Sequence, residues 1–427
     1  MSATDRATAE RLDATDSLAP LRAEFCIPAR KDGSPSVYFC GHSLGLASKS
    51  ATRVVNEELD AWARYAVEGH FDSARPWLSY HEQLSDGLAR LTGATSQEVV
   101  AMNSLTVNLH LMLVSFYRPT RERHKLLIEK RAFSSDRYAA ISQIRQRGFD
   151  PAESLIEIEP RPGESSIRMG DVCERIEREG RSIATVMLPG VQYLNGQCFD
   201  MATIAACARA QGCNVGFDLA HAIGNVPLAL HDWNADFAVW CSYKYLNAGP
   251  GAIGGCFVHE RHARELDLPR FAGWWGHDKG SRFDMPEEFQ ALTGAEGWQI
   301  SNPSILSAAP LLASLTTFDS VGMQRLRAKS AGLTGYLESL LDARLRNSLT
   351  ILTPRDPAAR GCQLSLRLHR SPAAARDVHS LLMQQGYICD WREPDVIRVA
   401  PVPLYNTFVE VWEFVAALEQ ALHAGQR

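Results

Sequence analysis

Apolar positions along this chain recur with two spacings, and the alternation between them predicts the architecture. From residue 48, SKSATRVVNEELDAWARYAVEG combines a serine cap with apolar residues three and four apart, the mark of an amphipathic helix. Short, nearly continuous apolar runs follow: KLLIEK (125–130), SLIEIE (154–159), IATVMLP (183–189), CNVGFDL (213–219) and DFAVWCSY (236–243). Helical stretches such as MATIAACARAQG separate them, which predicts a mostly parallel sheet buried on both faces. Beyond a loop-rich stretch at 270–303 the pattern turns to long helices, then CQLSLRL (362–368), a helix around 372–385, VIRVAPVPL and a final helix from Phe408. The expectation is an α/β protein with a polar, partly mobile N-terminal arm at 1–20 and a segment at 21–47 associated with the smaller unit. A large domain at 48–303 and a smaller α+β domain at 304–427 complete the division.

Composition narrows the function classes. The 427 residues are 45% hydrophobic and 22% charged with a formal net charge of -5, and Lys and Arg are scattered, so the basic stripe of a nucleic-acid binder is missing. No stretch reaches the roughly 18 apolar residues of a membrane-spanning helix, and the first 20 residues carry no apolar run, so a soluble cytoplasmic protein with a small-molecule ligand is expected. None of the ten cysteines pair at CxxC spacing and several sit in apolar runs, which favours free buried thiols over disulfides or a zinc site. His259 and His262 in HERHA fall one residue short of the HExxH spacing and read as surface helix residues, so no metal is expected.

Candidate chemistry centres on DFAVWCSYKYLNAGPGAIGGCFVHE, where Lys244 ends an apolar strand before a glycine-rich turn. A lone lysine there usually reaches solvent from the strand end. A desolvated amine, by contrast, loses affinity for its proton and becomes a nucleophile toward an aldehyde cofactor. Asp218 in NVGFDLAHA also ends an apolar strand and precedes Lys244 by 244 minus 218, or 26, residues. A lysine for the aldehyde and a carboxylate for the ring nitrogen are what pyridoxal phosphate requires. The third requirement is a phosphate site, and AMNSLTVNLHLMLVSF offers one where Ser104, Leu105 and Thr106 open a helix. GPGAIG (249–254) matches GxGxxG but leads into a strand, so it fails the context test of a dinucleotide site.

With these residues assembled, the chain from about 36 to 415 resembles the kynureninases, fold-type I pyridoxal-phosphate enzymes. The motifs that carry the resemblance are YFCGHSLGL, RPW (75–77), NSLTVNLHLML, GFDLAHAIGN, LHDW, CSYKYLNAGPG, GWWGH, ISNPSIL and IRVAPVPLYN, in the family's order and spacing. The resemblance implies hydrolytic cleavage of the Cβ–Cγ bond of L-kynurenine, and of 3-hydroxy-L-kynurenine, to anthranilate or its hydroxy form and L-alanine. It makes Lys244 the Schiff-base lysine and general base, Tyr243 a proton carrier, Asp218 the partner of the ring nitrogen and Phe133 the ring stacked on the cofactor. Leu105, Thr106, Tyr243 and the neighbouring subunit's Trp274 would surround the phosphate, with Asp136 and His221 completing the polar shell. Arg398 would clamp the substrate carboxylate, and Ser43, His70 and Asn302 would line the pocket for the aromatic amine. Asn302 would come from the second subunit of a homodimer with shared active sites. His42 and Pro189 depart from residues common in the family. Another fold-type I reaction, aminotransfer or cysteine desulfuration, would share Asp218 and Lys244, as would a non-catalytic cofactor-binding scaffold.

Overall fold

The computed structural model describes residues 5–265 and 267–424. The chain opens with helix α1 (Arg6–Ala14), the two-residue strand β1 (Val37–Tyr38), and helices α2 (Lys49–Tyr65) and α3 (Glu82–Thr92). Seven strands then alternate with helices: β2 (Val99–Ala101), α4 (Leu105–Phe116), β3 (Lys125–Glu129), α5 (Ser134–Gln146), α6 (Pro151–Ser154) and β4 (Leu155–Ile158). After these come α7 (Met169–Glu179), β5 (Ile183–Pro189), α8 (Met201–Ala210), β6 (Asn214–Asp218), β7 (Phe237–Trp240) and β8 (Gly255–Val258). The C-terminal part holds α9 (Ile305–Val321), α10 (Met323–Arg344), β9 (Leu349–Ile351), β10 (Leu364–Leu368) and α11 (Pro372–Gln384). It closes with β11 (Tyr387–Ile388), β12 (Asp390–Arg392), β13 (Val396–Val399) and α12 (Phe408–Ala424).

The large sheet runs β2-β8-β7-β6-β5-β3-β4, parallel from β7 to β4 and antiparallel where β8 pairs with β7 and β2. Alternate residues of each strand enter different cores, as the two-residue period of a strand requires. Leu127, Val186 and Val215 pack with α2, α3, α7, α8 and α9, whereas Leu126, Ile128 and Met187 pack with α4 and α5. Between β3 and β5 the strand order reverses direction, the place where open α/β sheets bind ligands outside the carboxyl ends of their strands.

The smaller antiparallel sheet, β12-β13-β10-β9, builds a separate core with α10, α11 and α12. The division expected at 303/304 falls before α9, whose buried Ala308, Leu311 and Phe318 join the large-sheet core. The second core takes Leu333 and later residues of α10, and we place the unit boundary within that helix. Among the described residues no single helix is long and apolar enough to cross a membrane; α9 and α10 meet the test only as a pair bent by 83°.

Three expectations are corrected. Of the arm expected at 1–20, residues 1–4 lie outside the described residues, and Arg6–Ala14 is a docked helix: α1 packs on α12, and the Asp13 carboxylate accepts from Phe408 N at 2.7 Å and Val409 N at 3.0 Å, capping that helix. A polar sequence hid this because its apolar anchor is small, Ala9 and Leu12 against the C-terminal core, and the rest is the Asp13 charge. Cys173 and Cys207 form a disulfide, because α7 and α8 lie side by side and bring Cα atoms 34 residues apart in sequence to 5.8 Å. His259 and His262 are buried, not surface residues: His262 Nε2 lies 2.8 Å from Asp236 Oδ1, and His259 Nε2 lies 3.2 Å from the His231 carbonyl.

Candidate active site

The carboxyl ends of β3, β5 and β6 place Glu129, Pro189 and Asp218 around one cavity, together with Leu105 and Thr106 from α4, Phe133 and Asp136 from α5, and His221, Tyr243 and Lys244. Local sequence builds each wall. Asn103 adopts a left-handed conformation, φ 48°, and its Nδ2 donates to Asn108 Oδ1 at 2.9 Å, while Asn108 Nδ2 donates to Met102 O at 2.8 Å. These bonds pin the turn that aims the start of α4 into the cavity. Ser104 makes no side-chain cap bond, so the first-turn N–H groups stay available for an anion.

Lys244 follows β7 in a turn that another motif braces. Gly45 N donates to the Tyr243 carbonyl at 2.8 Å, and a Cβ on Gly45 would lie 2.3 Å from the Lys244 carbonyl, so GHSLGL needs its second glycine for this close approach. Lys244 Nζ lies 3.1 Å from His221 Nε2 and 5.8 Å from the ring centres of both Phe133 and Tyr243. Burial first, and the Lys244 charge second, hold His221 well below the ordinary imidazole range, so it is neutral and accepts from the lysine. Burial likewise pushes the Tyr243 phenol up, so it keeps its proton.

Asp218 and Asp136 are a buried carboxyl pair. Burial raises both, and the charge of Asp218 adds to the effect on Asp136, so in this site the two hold a proton between them. Asp218 Oδ1 also accepts from Ala220 N at 2.7 Å. Asp136 Oδ1 and His221 Nδ1 are buried and have no hydrogen-bond partner. Orphaned polar atoms at the foot of a cavity are the observation that calls for a ligand with polar groups of its own.

Full-length comparison decides the family. A kynureninase of Koribacter versatilis (strain Ellin345) is 56% identical over 404 residues, 95% of each chain, and one of Myxococcus xanthus (strain DK1622) is 56% identical over 411 residues, 96% of each. Residues 326–418 match the family model described as the kynureninase C-terminal domain. The chain belongs to the kynureninase family. Kynureninases are pyridoxal-phosphate-dependent hydrolases, and the buried Asp218–Asp136 pair, the uncapped helix start and Lys244 suit the ring nitrogen, the phosphate and the aldehyde of that cofactor.

Solved structures place the kynureninase chain in fold-type I. A cysteine desulfurase from Escherichia coli superposes with a TM-score of 0.77 at 17% identity, covering 96% of this chain and 99% of its own. One from Thermococcus onnurineus NA1 gives 0.75 at 17%, covering 91% and 95%. A further neighbour, at 0.74 and 18% identity over 90% of this chain and 96% of its own, has glycine covalently linked to its pyridoxal-phosphate cofactor.

Eight of the expected site residues line the cavity: Leu105, Thr106, Phe133, Asp136, Asp218, His221, Tyr243 and Lys244. Ser43, His70, Trp274, Asn302 and Arg398 do not. Ser43 and Asn302 are exposed, His70 Nδ1 lies 2.9 Å from the Val67 carbonyl, and Trp274 Nε1 donates to Arg282 O at 2.9 Å. Arg398, on β13, stands one layer behind. Its Nε donates to Asp390 Oδ2 at 2.6 Å and its Nη1 to the carbonyl of Tyr193, a cavity-lining residue, while Nη2 takes no partner among the described residues. His42 is buried with neither ring nitrogen hydrogen-bonded, its ring 6.4 Å from that of His221. RPW has a structural role: Arg75 Nε and Trp77 Nε1 donate to the two oxygens of buried Glu58 on α2, at 2.6 and 3.0 Å.

Sequence reasoning missed Glu129 and Tyr193. Glu129 ends the strand KLLIE as Asp218 ends NVGFD, so the rule that selected Asp218, an acid closing an apolar strand, applies equally to it. Tyr193 acts through its carbonyl and through an edge-on ring contact with Phe133 at 5.4 Å, and neither leaves a mark in the sequence.

Proposed function

We propose that the protein cleaves the Cβ–Cγ bond of L-kynurenine and of 3-hydroxy-L-kynurenine by hydrolysis at the Lys244–Asp218 cavity, releasing L-alanine and anthranilate or its hydroxy form. The observation that carries this is the meeting of Lys244, the Asp218–Asp136 pair and the open start of α4 in one cavity of a kynureninase chain. When bound, pyridoxal phosphate supplies an aldehyde carbon for an amine and an electron sink for a carbanion. Lys244 Nζ, resting on neutral His221, provides the amine for attachment and then the base that takes and returns a proton at the substrate α-carbon. Asp218 holds the ring nitrogen protonated by its charge, and Asp136 shares the remaining proton of the pair. Tyr243 keeps its phenol protonated beside Lys244 and is the donor of the proton that the retained β-carbon takes up once its bond to the γ-carbon breaks. Phe133 supplies the stacking face, and the N–H groups of Leu105 and Thr106 hold the phosphate.

The substrate carboxylate falls to Arg398, whose Nη2 is the uncommitted end of a fork fixed by Asp390 and Tyr193. Ser43, His70 and Asn302 form the surface for the aromatic amine. Trp274 and Asn302 come from the second subunit of a homodimer; their exposure and their absence from their own chain's cavity support that placement. The same proposal carries the cytoplasmic location: eight free cysteines support a reducing compartment, against which the Cys173–Cys207 pair counts. Purified protein supplied with cofactor and L-kynurenine is expected to release fluorescent anthranilate and alanine in equal amounts. Release of neither, with the cofactor bound, overturns the proposal.

Arg398→Gln is expected to raise KM about ten- to a hundredfold, the loss of a charge-assisted bond of roughly 1.5–3 kcal/mol, and to leave cofactor affinity unchanged. Asp390 retains Arg392 Nε at 3.0 Å in that variant, so no buried acid is stranded. Loss of cofactor with KM intact would instead move Arg398 to the phosphate or to the frame.

A further inference from the structure

Glu129 is a buried carboxyl that the reaction above does not use. It is 2% exposed and lines both the cofactor cavity and a wider cleft of about 460 Å³, so it forms part of the partition between them. Its Oε1 accepts from Gln192 Nε2 at 3.3 Å, and among the described residues it has no ion-pair partner. On the cavity side it shares the lining with Asp136, Asp218, His221 and Lys244; on the cleft side with Lys130, Arg131, Glu159, Glu164 and Arg367.

We propose that Glu129 is a reserve of negative charge for the cofactor's pyridine ring, standing behind Asp218 and Asp136 in one acid cluster. The inference rests on the reading of Asp218 as the ring's partner. Burial, and after it the charge of Asp218, push Glu129 up to about 8, with the Gln192 bond working the other way. Below that pH it is neutral and leaves Asp218 and Asp136 to set the charge. A protonated ring beside Asp218 adds a positive charge, which favours the ionised form of each carboxyl near it. Glu129 gives its proton to water through the cleft it also faces, and the added anion strengthens the hold on the ring as pH rises.

The test uses apoprotein and pyridoxal phosphate, with affinity read from tryptophan fluorescence quenching at about pH 6.5 and about pH 9, well to either side of the midpoint. Wild type and Glu129→Gln are expected to bind alike, within about twofold, at the lower pH. At the higher pH Glu129→Gln should bind at least about fivefold more weakly, an effect of roughly 1 kcal/mol. A protonated-carboxyl infrared band that titrates near 8 in wild-type apoprotein should be missing from the variant. Gln192→Met, which removes the bond favouring ionisation, should move that midpoint upward and keeps the test valid if Glu129→Gln does not fold. Equal affinities at both pH values, a band titrating near 8 that survives in Glu129→Gln, or a midpoint unmoved in Gln192→Met each overturn the proposal. Asp218→Asn separates the two readings, since it should weaken binding at both pH values. Normal binding there removes the Asp218 reading and Glu129 with it, whereas weak binding there beside an unchanged Glu129→Gln removes Glu129 alone.

Discussion

Lys244→Ala is expected to bring turnover below about a thousandth of the wild-type rate, since general base work alone contributes roughly a hundred- to ten-thousandfold and covalent attachment is lost with it. Among the described residues that line the cavity Lys244 is the sole amine, so no neighbour can take its place. His221 stands 3.1 Å away, but a neutral imidazole in that environment neither attaches an aldehyde nor carries the charge that Lys244 brings to Asp136 and Asp218. The fold should tolerate the change, because the turn around position 244 is held by its backbone: Gly45 N on the Tyr243 carbonyl and Asn247 N on the Lys244 carbonyl at 3.0 Å. Steady-state turnover of cofactor-supplied variant and wild type, with circular dichroism to check folding, measures the effect. Borohydride reduction of the wild type followed by peptide mapping should place the label on Lys244. A variant that turns over near the wild-type rate, or a label on another lysine, removes Lys244 from the reaction.

The large sheet was legible because parallel strands buried on both faces write near-continuous apolar runs, and five of the seven strands appear at the expected places. A sixth, the strand over Gly255–Val258, follows the glycines that disqualified GPGAIG as a dinucleotide site; Gly249 and Gly251 both take positive φ, 84° and 72°, in the turn before it. What stayed hidden depends on contacts between distant segments. The docking of α1 joins Ala9 and Leu12 to the C-terminal core and Asp13 to a helix that starts 395 residues later. The burial of Arg398 depends on Asp390, its antiparallel register partner, which lies directly opposite on β12 and accepts from its Nε. The disulfide and the buried His259 and His262 follow from the same cause: helix pairing and strand-end packing set them, and no local spacing encodes either.

Mixing two inactive variants is expected to restore about one quarter of wild-type activity, provided the active sites are shared between subunits. Lys244 lines its own chain's cavity, while Asn302 is exposed and lies outside it. Lys244→Ala and Asn302→Ala, each inactive as a homodimer, are unfolded or diluted together so that subunits exchange at random. Two-fold symmetry then makes half of the dimers mixed, and in a mixed dimer one site receives both damaged residues and the other receives two sound ones. Half of the dimers with half of their sites intact gives about one quarter. The exposure of Asn302 makes its substitution benign for folding, so loss of activity in Asn302→Ala reports on the site itself. Differently tagged chains show by co-purification that exchange has taken place. Sites contained within one chain predict no recovery, because each subunit then carries a complete but damaged site. Confirmed exchange with activity still at zero therefore returns Asn302 to its own chain and removes the main support for a shared active site.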